Sequence, residues 1–128
     1  MNRNGSNEIM MLTKNLRAAS WCIITVLVVL TVVPASERPV TGLPHALEHL
    51  LAFGLAGLTF GLAYSGYLRS FLAGAVAFAL ALELSQIPLP TRHARLEDFV
   101  VDAVAACLGI LVVHGWRLRA ENQTDAVR

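Results

Sequence analysis

The sequence has few charged residues for a chain of 128 residues. Asp, Glu, Lys and Arg together make up 15% of it, against about a quarter of an ordinary soluble domain. The mean hydropathy is +0.59, so there are too few polar side chains to cover a water-soluble surface of this size. The net charge is only +1, which gives no indication of a nucleic-acid partner. The composition predicts an integral membrane protein.

The sequence also lacks the patterns that usually mark a cofactor or a catalytic nucleophile. The two cysteines, Cys22 and Cys107, lie inside apolar runs without metal-ligand spacing, and we expect both to be hydrophobic filler. No Gly-rich phosphate loop is present. No serine or cysteine lies convincingly beside an acid or a base, and Ser85 is more typical of a structural serine. The sequence therefore predicts no cofactor and favours a non-catalytic protein over an enzyme.

Long apolar runs occupy most of the chain, separated by prolines, glycines and charged residues. No run alternates convincingly with a period of two residues, and backbone polar groups in lipid must be hydrogen-bonded within the protein. We therefore predict an all-α, polytopic membrane bundle of four transmembrane helices. Its domain covers residues 16–116, with a flexible tail at 1–15, a polar tail at 117–128, and spans at about 16–34, 47–64, 70–87 and 98–116.

The first apolar run has two interpretations. Lys14 and Arg17 precede it and a Val-Pro-Ala sequence closes it, which is typical either of a membrane anchor or of a secretory signal with its cleavage site. With its flanks, the run nearly crosses a hydrocarbon core of about 30 Å. We favour the retained anchor.

The basic residues between the spans predict the orientation, because cytoplasmic segments carry an excess of Lys and Arg. Of the ten in the chain, seven lie on the side of the termini and three on the other. The seven are Arg3, Lys14, Arg17, Arg69, Arg117, Arg119 and Arg128, and the three are Arg38, Arg92 and Arg95. We therefore expect both termini in the cytoplasm.

Small residues recur at helical spacing in two of the spans. Gly57 and Gly61 lie four residues apart in the second, and Ala105 and Gly109 lie four apart in the fourth. Such faces let another helix approach closely in lipid, either within the bundle or from another membrane protein. The short turn at residues 65–69 further predicts that the second and third spans are antiparallel neighbours.

The polar residues of three spans fall at one end of the predicted bundle, the extracytoplasmic end. An ionisable group inside a membrane span costs about 2.5–3.5 kcal/mol unless it faces the bundle interior, a partner or water. Residues three or four apart on one helix share a face, so these groups are expected to converge. The candidate pocket consists of His49, Glu83, Gln86, Arg92, Asp98 and Asp102.

Several interpretations of this pocket stay open. Arg92 could pair with Glu83 or Asp98 in a network that only locks the loop, or Arg92 and Arg95 could contact an anionic headgroup. Glu83 and His49 could serve as an acid/base pair.

A divalent-metal site is conceivable, since His45 and His49 lie four apart and the carboxylates of the pocket supply oxygen ligands. No H-E-x-x-H or comparable string occurs, and His45 is more simply a loop residue at the interface. We therefore predict no bound metal.

Three short strings resemble a known family. They are E-H-L-L-A-F at 48–53, E-L-S-Q at 83–86 and R-H-A-R-L-E-D-F-V-V-D-A-V-A-A-C-L-G at 92–109. Their order and spacing over residues 44–113 resemble the VanZ-like family of small bacterial membrane proteins. The matching positions are His49, Phe53, Glu83, Gln86, Arg92, Asp98 and Gly109.

The sequence departs from that family at three places. Asp102 stands where the family usually has Asn, Ala105 stands at the first glycine, and His45-Ala46 replaces Asp-Lys. The resemblance implies a multi-pass protein of the bacterial cytoplasmic membrane, and its founding member is associated with teicoplanin resistance.

We expect the pocket to bind a cell-envelope ligand, either lipid-linked or anionic. The expected partners are the lipid bilayer, this ligand, and another membrane protein or a second copy of the chain. The alternatives are a membrane enzyme acting on a lipid-linked substrate and a non-catalytic scaffold.

Overall fold

A computed structural model describes residues 3–34, 37, 42–88 and 95–126. This part of the chain forms four α-helices and contains no strand, which confirms the all-α prediction. The helices are α1 (Arg3–Val32), α2 (His45–Ala63), α3 (Leu68–Gln86) and α4 (Leu96–Ala126). Three of them are long and apolar enough to cross a membrane: α1 over Gly5–Val32, α2 and α3. The fourth predicted span, 98–116, lies within α4.

Both outer helices extend into the segments that the sequence suggested were tails. Helix α1 already begins at Arg3, and α4 continues to Ala126. The reason is local: residues 8–12 and 117–121 are rich in Glu, Met, Leu, Arg and Ala, which are strong helix formers. Extending an existing helix adds one hydrogen bond for each residue fixed, without a new nucleation step.

The four helices are arranged so that α1 and α4 each pack against both α2 and α3. Helices α2 and α3 therefore lie diagonally across the bundle, although only a short turn joins them. Gly66 provides the sharp bend of that turn with a φ of +97°. The second and third spans contact each other through large aromatic rings, not through the close backbone approach that joins α2 to α4. The Phe53 and Phe78 ring centroids lie 6.4 Å apart, and those of Phe60 and Phe71 lie 6.0 Å apart.

The closest packing is between α2 and α4, which run parallel. A Cβ placed on Gly57 would overlap the backbone carbonyl of Ala106, and one on Gly109 would lie 2.6 Å from the backbone nitrogen of Leu58. A Cβ on Gly61 would lie 3.0 Å from the Val113 side chain. These separations exclude any larger residue at Gly57 or Gly109 without a backbone shift. The small-residue face is thus used inside the chain.

Small residues make up about half of the buried apolar core, beside larger ones such as Phe53 and Leu82, while many other large apolar side chains point outward. Ala56, Ala79 and Ala106 are buried, as is Ala105 of the predicted packing face. By contrast, all four helices expose large apolar side chains, exemplified by Leu55 at 52%. A contiguous apolar exterior around a core rich in small residues is typical of helices that pack within lipid.

The α2–α4 contact predicts a strong difference between two Gly→Ala variants. Gly57→Ala forces a methyl group into the Ala106 carbonyl, and overpacking of this kind typically costs about 1–3 kcal/mol. We expect a clear loss of thermal stability in detergent. Gly74→Ala is the matched control, because a Cβ there meets nothing within 4 Å. Equal stability of the two variants would contradict this packing.

Candidate functional site

Two His–Asp pairs connect the first two turns of α2 with the first two turns of α4. His45 Nε2 lies 3.3 Å from Asp98 Oδ2, and His49 Nδ1 lies 2.8 Å from Asp102 Oδ1. In both pairs the partners are 53 positions apart in the chain. The match in offset follows from the parallel packing of α2 and α4, which advance together by four residues from one pair to the next. Two His at i, i+4 therefore face two Asp at i, i+4.

The two pairs form an outer and an inner layer. In the outer pair, the His45 side chain is 48% exposed and that of Asp98 is 15% exposed. In the inner pair, His49 is 18% exposed and Asp102 only 4%. The two imidazole rings lie edge to face with centroids 4.3 Å apart, and the His49 ring is nearly parallel to the Phe53 ring, with centroids 6.2 Å apart. His49 is thus held by a short polar contact on one side and by packing on the other.

Glu83 belongs to a separate arrangement, in which it holds the start of α4 against α3. Its Oε1 accepts a hydrogen bond from the backbone N–H of Arg95, and its Oε2 accepts one from Gln86 Nε2 at 3.3 Å. The side chain is buried, and the first backbone N–H groups of a helix need such acceptors. Glu83 therefore contributes a hydrogen-bond acceptor at the entry to α4.

The described contacts of the predicted pocket residues fall into two sets. His49, Asp98 and Asp102 lie on the α2–α4 side, whereas Glu83 and Gln86 lie on the α3 side. Arg92, predicted to pair with a carboxylate or to contact a headgroup, lies outside the described residues. The Arg95 guanidinium contacts Glu97 at 3.0 Å, where both side chains are largely exposed.

His45 is the residue that the sequence analysis left out of the pocket. It is the first residue of α2, not a loop residue, and it completes the outer pair. The available signal was its spacing of four from His49, which matches the spacing of Asp98 and Asp102. That match becomes informative only when α2 and α4 are known to be parallel neighbours.

An open groove runs between α1 and α2 beside the inner pair. Its volume is about 410 Å³, and Glu48 and His49 lie at one end of it. From Glu48 to Leu55 it follows α2 for about 10 Å, at about 1.5 Å per residue. Its other walls are apolar apart from the hydroxyl of Thr31, which bonds to its own helix. These are contributed by Leu27, Leu30, Leu43, Leu51, Ala52, Phe53 and Leu55.

The opposite end of the bundle carries arginines around the carboxyl end of α2. Arg17 donates to the carbonyl of Ala63 at 3.5 Å and lies over the Tyr64 ring at 4.9 Å. Arg117 donates to the carbonyls of Leu62 and Tyr64 at 2.8 and 3.3 Å. Cations at this position satisfy the last carbonyls of a helix and complement its dipole. The two ends of the bundle are therefore chemically opposite.

Comparison with known proteins adds no further information: no protein-family model, no curated protein and no solved structure matches the chain.

The role of Glu83 at the entry to α4 predicts a graded response to substitution. Glu83→Ala leaves the Arg95 N–H without its acceptor, and the loss of this part-buried hydrogen bond should cost about 0.5–1.5 kcal/mol. Glu83→Gln retains an amide oxygen that can accept, so its loss should be smaller. Amide hydrogen exchange should show the effect as lost protection in the first turns of α4. Glu97→Gln, at an 81% exposed side chain, should be silent, and an equal response from it would contradict this role.

Proposed function

We propose that the chain is a VanZ-like protein of the bacterial cytoplasmic membrane that crosses the bilayer four times, with both termini in the cytoplasm. The resemblance of its motifs to that family supports the family assignment. For the fourth crossing, α4 exposes an apolar stripe at a spacing of four residues: Val100, Val104, Leu108 and Val112. A stripe of this kind is suited to contact with lipid.

The first helix is a retained part of this membrane domain. Ser20 is completely buried, and Leu27 belongs to the hydrophobic core. Trp21 Nε1 donates to the Tyr64 hydroxyl at 3.1 Å, and its ring lies edge to face with Phe60 at 5.6 Å. Removal of α1 would expose these partners and open the bundle, which favours an anchor over a cleaved signal.

The orientation follows from the two chemically different ends. The end that holds Arg17 and Arg117 is the one that cytoplasmic segments favour, since they carry an excess of basic residues. The His–Asp end then faces the extracytoplasmic side.

Site-directed cysteine labelling checks this orientation. In a background with Cys22 and Cys107 replaced by Ala, a cysteine at Glu97→Cys should react with a membrane-impermeant maleimide in intact cells. The matched control, Glu121→Cys, lies near the other end of α4 and should react only after lysis. The reverse pattern would invert the proposed topology.

The function that the site supports best is the binding of a lipid-linked ligand of the cell envelope. The observation that carries it is the groove, which is polar at Glu48 and His49 and apolar along Leu51 and Leu55. This division matches an amphiphile with its headgroup at the inner His–Asp pair and its chain along α1 and α2. The inner pair is ordered by a 2.8 Å contact, so it presents a fixed polar surface to a headgroup.

The two alternatives receive unequal support. A scaffold that binds a partner through its glycine face is disfavoured, because Gly57 and Gly109 already hold α2 against α4. A membrane enzyme remains the second candidate, since a histidine oriented by a carboxylate, as in His49–Asp102, is a common form of general base.

A binding experiment separates headgroup recognition from simple lipid contact. Native mass spectrometry of the detergent-solubilised protein should show a long-chain polyprenyl phosphate binding at least about tenfold more tightly than the polyprenol of equal chain length, equivalent to about 1.4 kcal/mol. His49→Ala should reduce that ratio because it removes the polar end of the groove.

A matched pair of variants, Leu55→Ser and Leu80→Ser, tests where the hydrocarbon chain of the lipid binds. Both leucines are exposed, but only Leu55 lines the groove. Leu55→Ser should weaken binding of both lipids and Leu80→Ser neither. Equal binding of phosphate and alcohol, unchanged by His49→Ala, would contradict the proposed function.

A further inference from the structure

The two His–Asp pairs bring together three side chains whose donor atoms are suited to one metal ion. One donor atom each from His45, His49 and Asp98 lies within 4.8 Å of the others. Imidazole nitrogen combined with a single carboxylate is a donor set typical of zinc, whereas Ca²⁺ and Mg²⁺ take oxygen ligands. We propose that these three residues bind one divalent transition-metal ion, with zinc the best chemical match.

The distances within the cluster are close to those that a metal requires. Two ligands of a tetrahedral zinc ion lie about 3.3 Å apart, given metal–ligand distances of about 2.0–2.1 Å. His45 Nε2 and Asp98 Oδ2 already lie 3.3 Å apart. The remaining separations, up to 4.8 Å, have to shorten by about 1.5 Å to reach the tetrahedral spacing. The His45 side chain, 48% exposed and at the first position of its helix, can supply the part of this movement that brings it toward His49.

Asp102 gives the cluster the feature that distinguishes a metal site from a simple pair of polar contacts. A metal-binding histidine almost always donates its other ring N–H to a carboxylate or a carbonyl, which fixes the ring and its tautomer. Asp102 Oδ1 lies 2.8 Å from His49 Nδ1, so Asp102 fills this role when a metal binds the other ring nitrogen of His49. Asp102 is nearly fully buried, so it acts as the positioning residue behind His49.

The metal also resolves an electrostatic conflict in the proposed function. The end of the bundle around the groove carries Glu48, Asp98 and Asp102, so a phosphate headgroup would meet several carboxylates. A divalent cation held by three protein ligands keeps a fourth position open, and a phosphate oxygen can occupy it next to the groove wall formed by His49. This last step rests on the proposed function, whereas metal binding itself does not.

Metal binding is tested with zinc alone, on the full-length protein in detergent and without a polyhistidine tag. Competition with a chromophoric chelator should show one ion per chain, and Co²⁺ in its place should give the visible spectrum of a four-coordinate site. Loss of a residue that only supports a metal ligand typically weakens metal binding by about 10–100-fold. A larger loss of zinc affinity is expected for each ligand variant: His45→Ala, His49→Ala and Asp98→Ala. Asp102→Asn should cause that smaller loss and retain one ion per chain.

Two variants provide matched controls. His114→Ala removes a histidine sixteen residues beyond Asp98 on α4, and Glu97→Gln removes the carboxylate next to Asp98 in sequence. Neither change should alter the zinc affinity. Circular dichroism of each variant should show an unchanged helical content. Absence of one tightly bound ion per chain, or a loss in His114→Ala equal to that in His49→Ala, would overturn the proposal. Zinc binding without any polyprenyl phosphate binding would retain the metal site and reject only the ligand.

Discussion

The backbone contact between α2 and α4 is the constraint on which the rest of the bundle depends. Because Gly57 and Gly109 lack side chains, the backbones of α2 and α4 come into direct contact. The two helices run parallel and stay in register along most of α2. The same register that brings the glycines together aligns His45 with Asp98 and, one turn further along both helices, His49 with Asp102. A shift of one residue along either helix would rotate these partners by about 100° and separate them. The polar site is therefore a consequence of the glycine packing.

Buried polar groups at this end of the bundle serve two different purposes. The carboxylate oxygens of Glu83 accept hydrogen bonds from Gln86 and from the start of α4, so Glu83 serves as a structural acceptor. The His–Asp pairs differ because the outer one reaches solvent and the inner one borders a groove. An ionisable group inside a membrane domain needs a partner in either case. What separates a structural from a functional group is access to a ligand.

The distribution of charge along the bundle links packing to orientation. Arginines contact the carbonyl end of α2, while carboxylates and histidines lie at its amino end. Each arrangement suits the local helix dipole, since cations stabilise a helix carboxyl end and Glu48 stabilises the first turn. The same distribution that satisfies the helix ends gives the protein one basic and one acidic face. The proposed orientation and the local stability of the helix ends therefore rest on the same residues.

The sequence by itself determined the helices and the concentration of polar residues at one end. Apolar runs interrupted by Gly66 and Pro88 allow little else, because backbone in lipid must bond within its own helix. Only the tertiary structure decided that the closest backbone packing of α2 is with α4, and hence that His45 faces Asp98. Helix formation depends on neighbours in sequence, which a reader of the chain can see. The choice of packing partner depends on residues that are far apart in sequence. Glycine against alanine lets two helix backbones approach closely, whereas Phe53 against Phe78 keeps them apart.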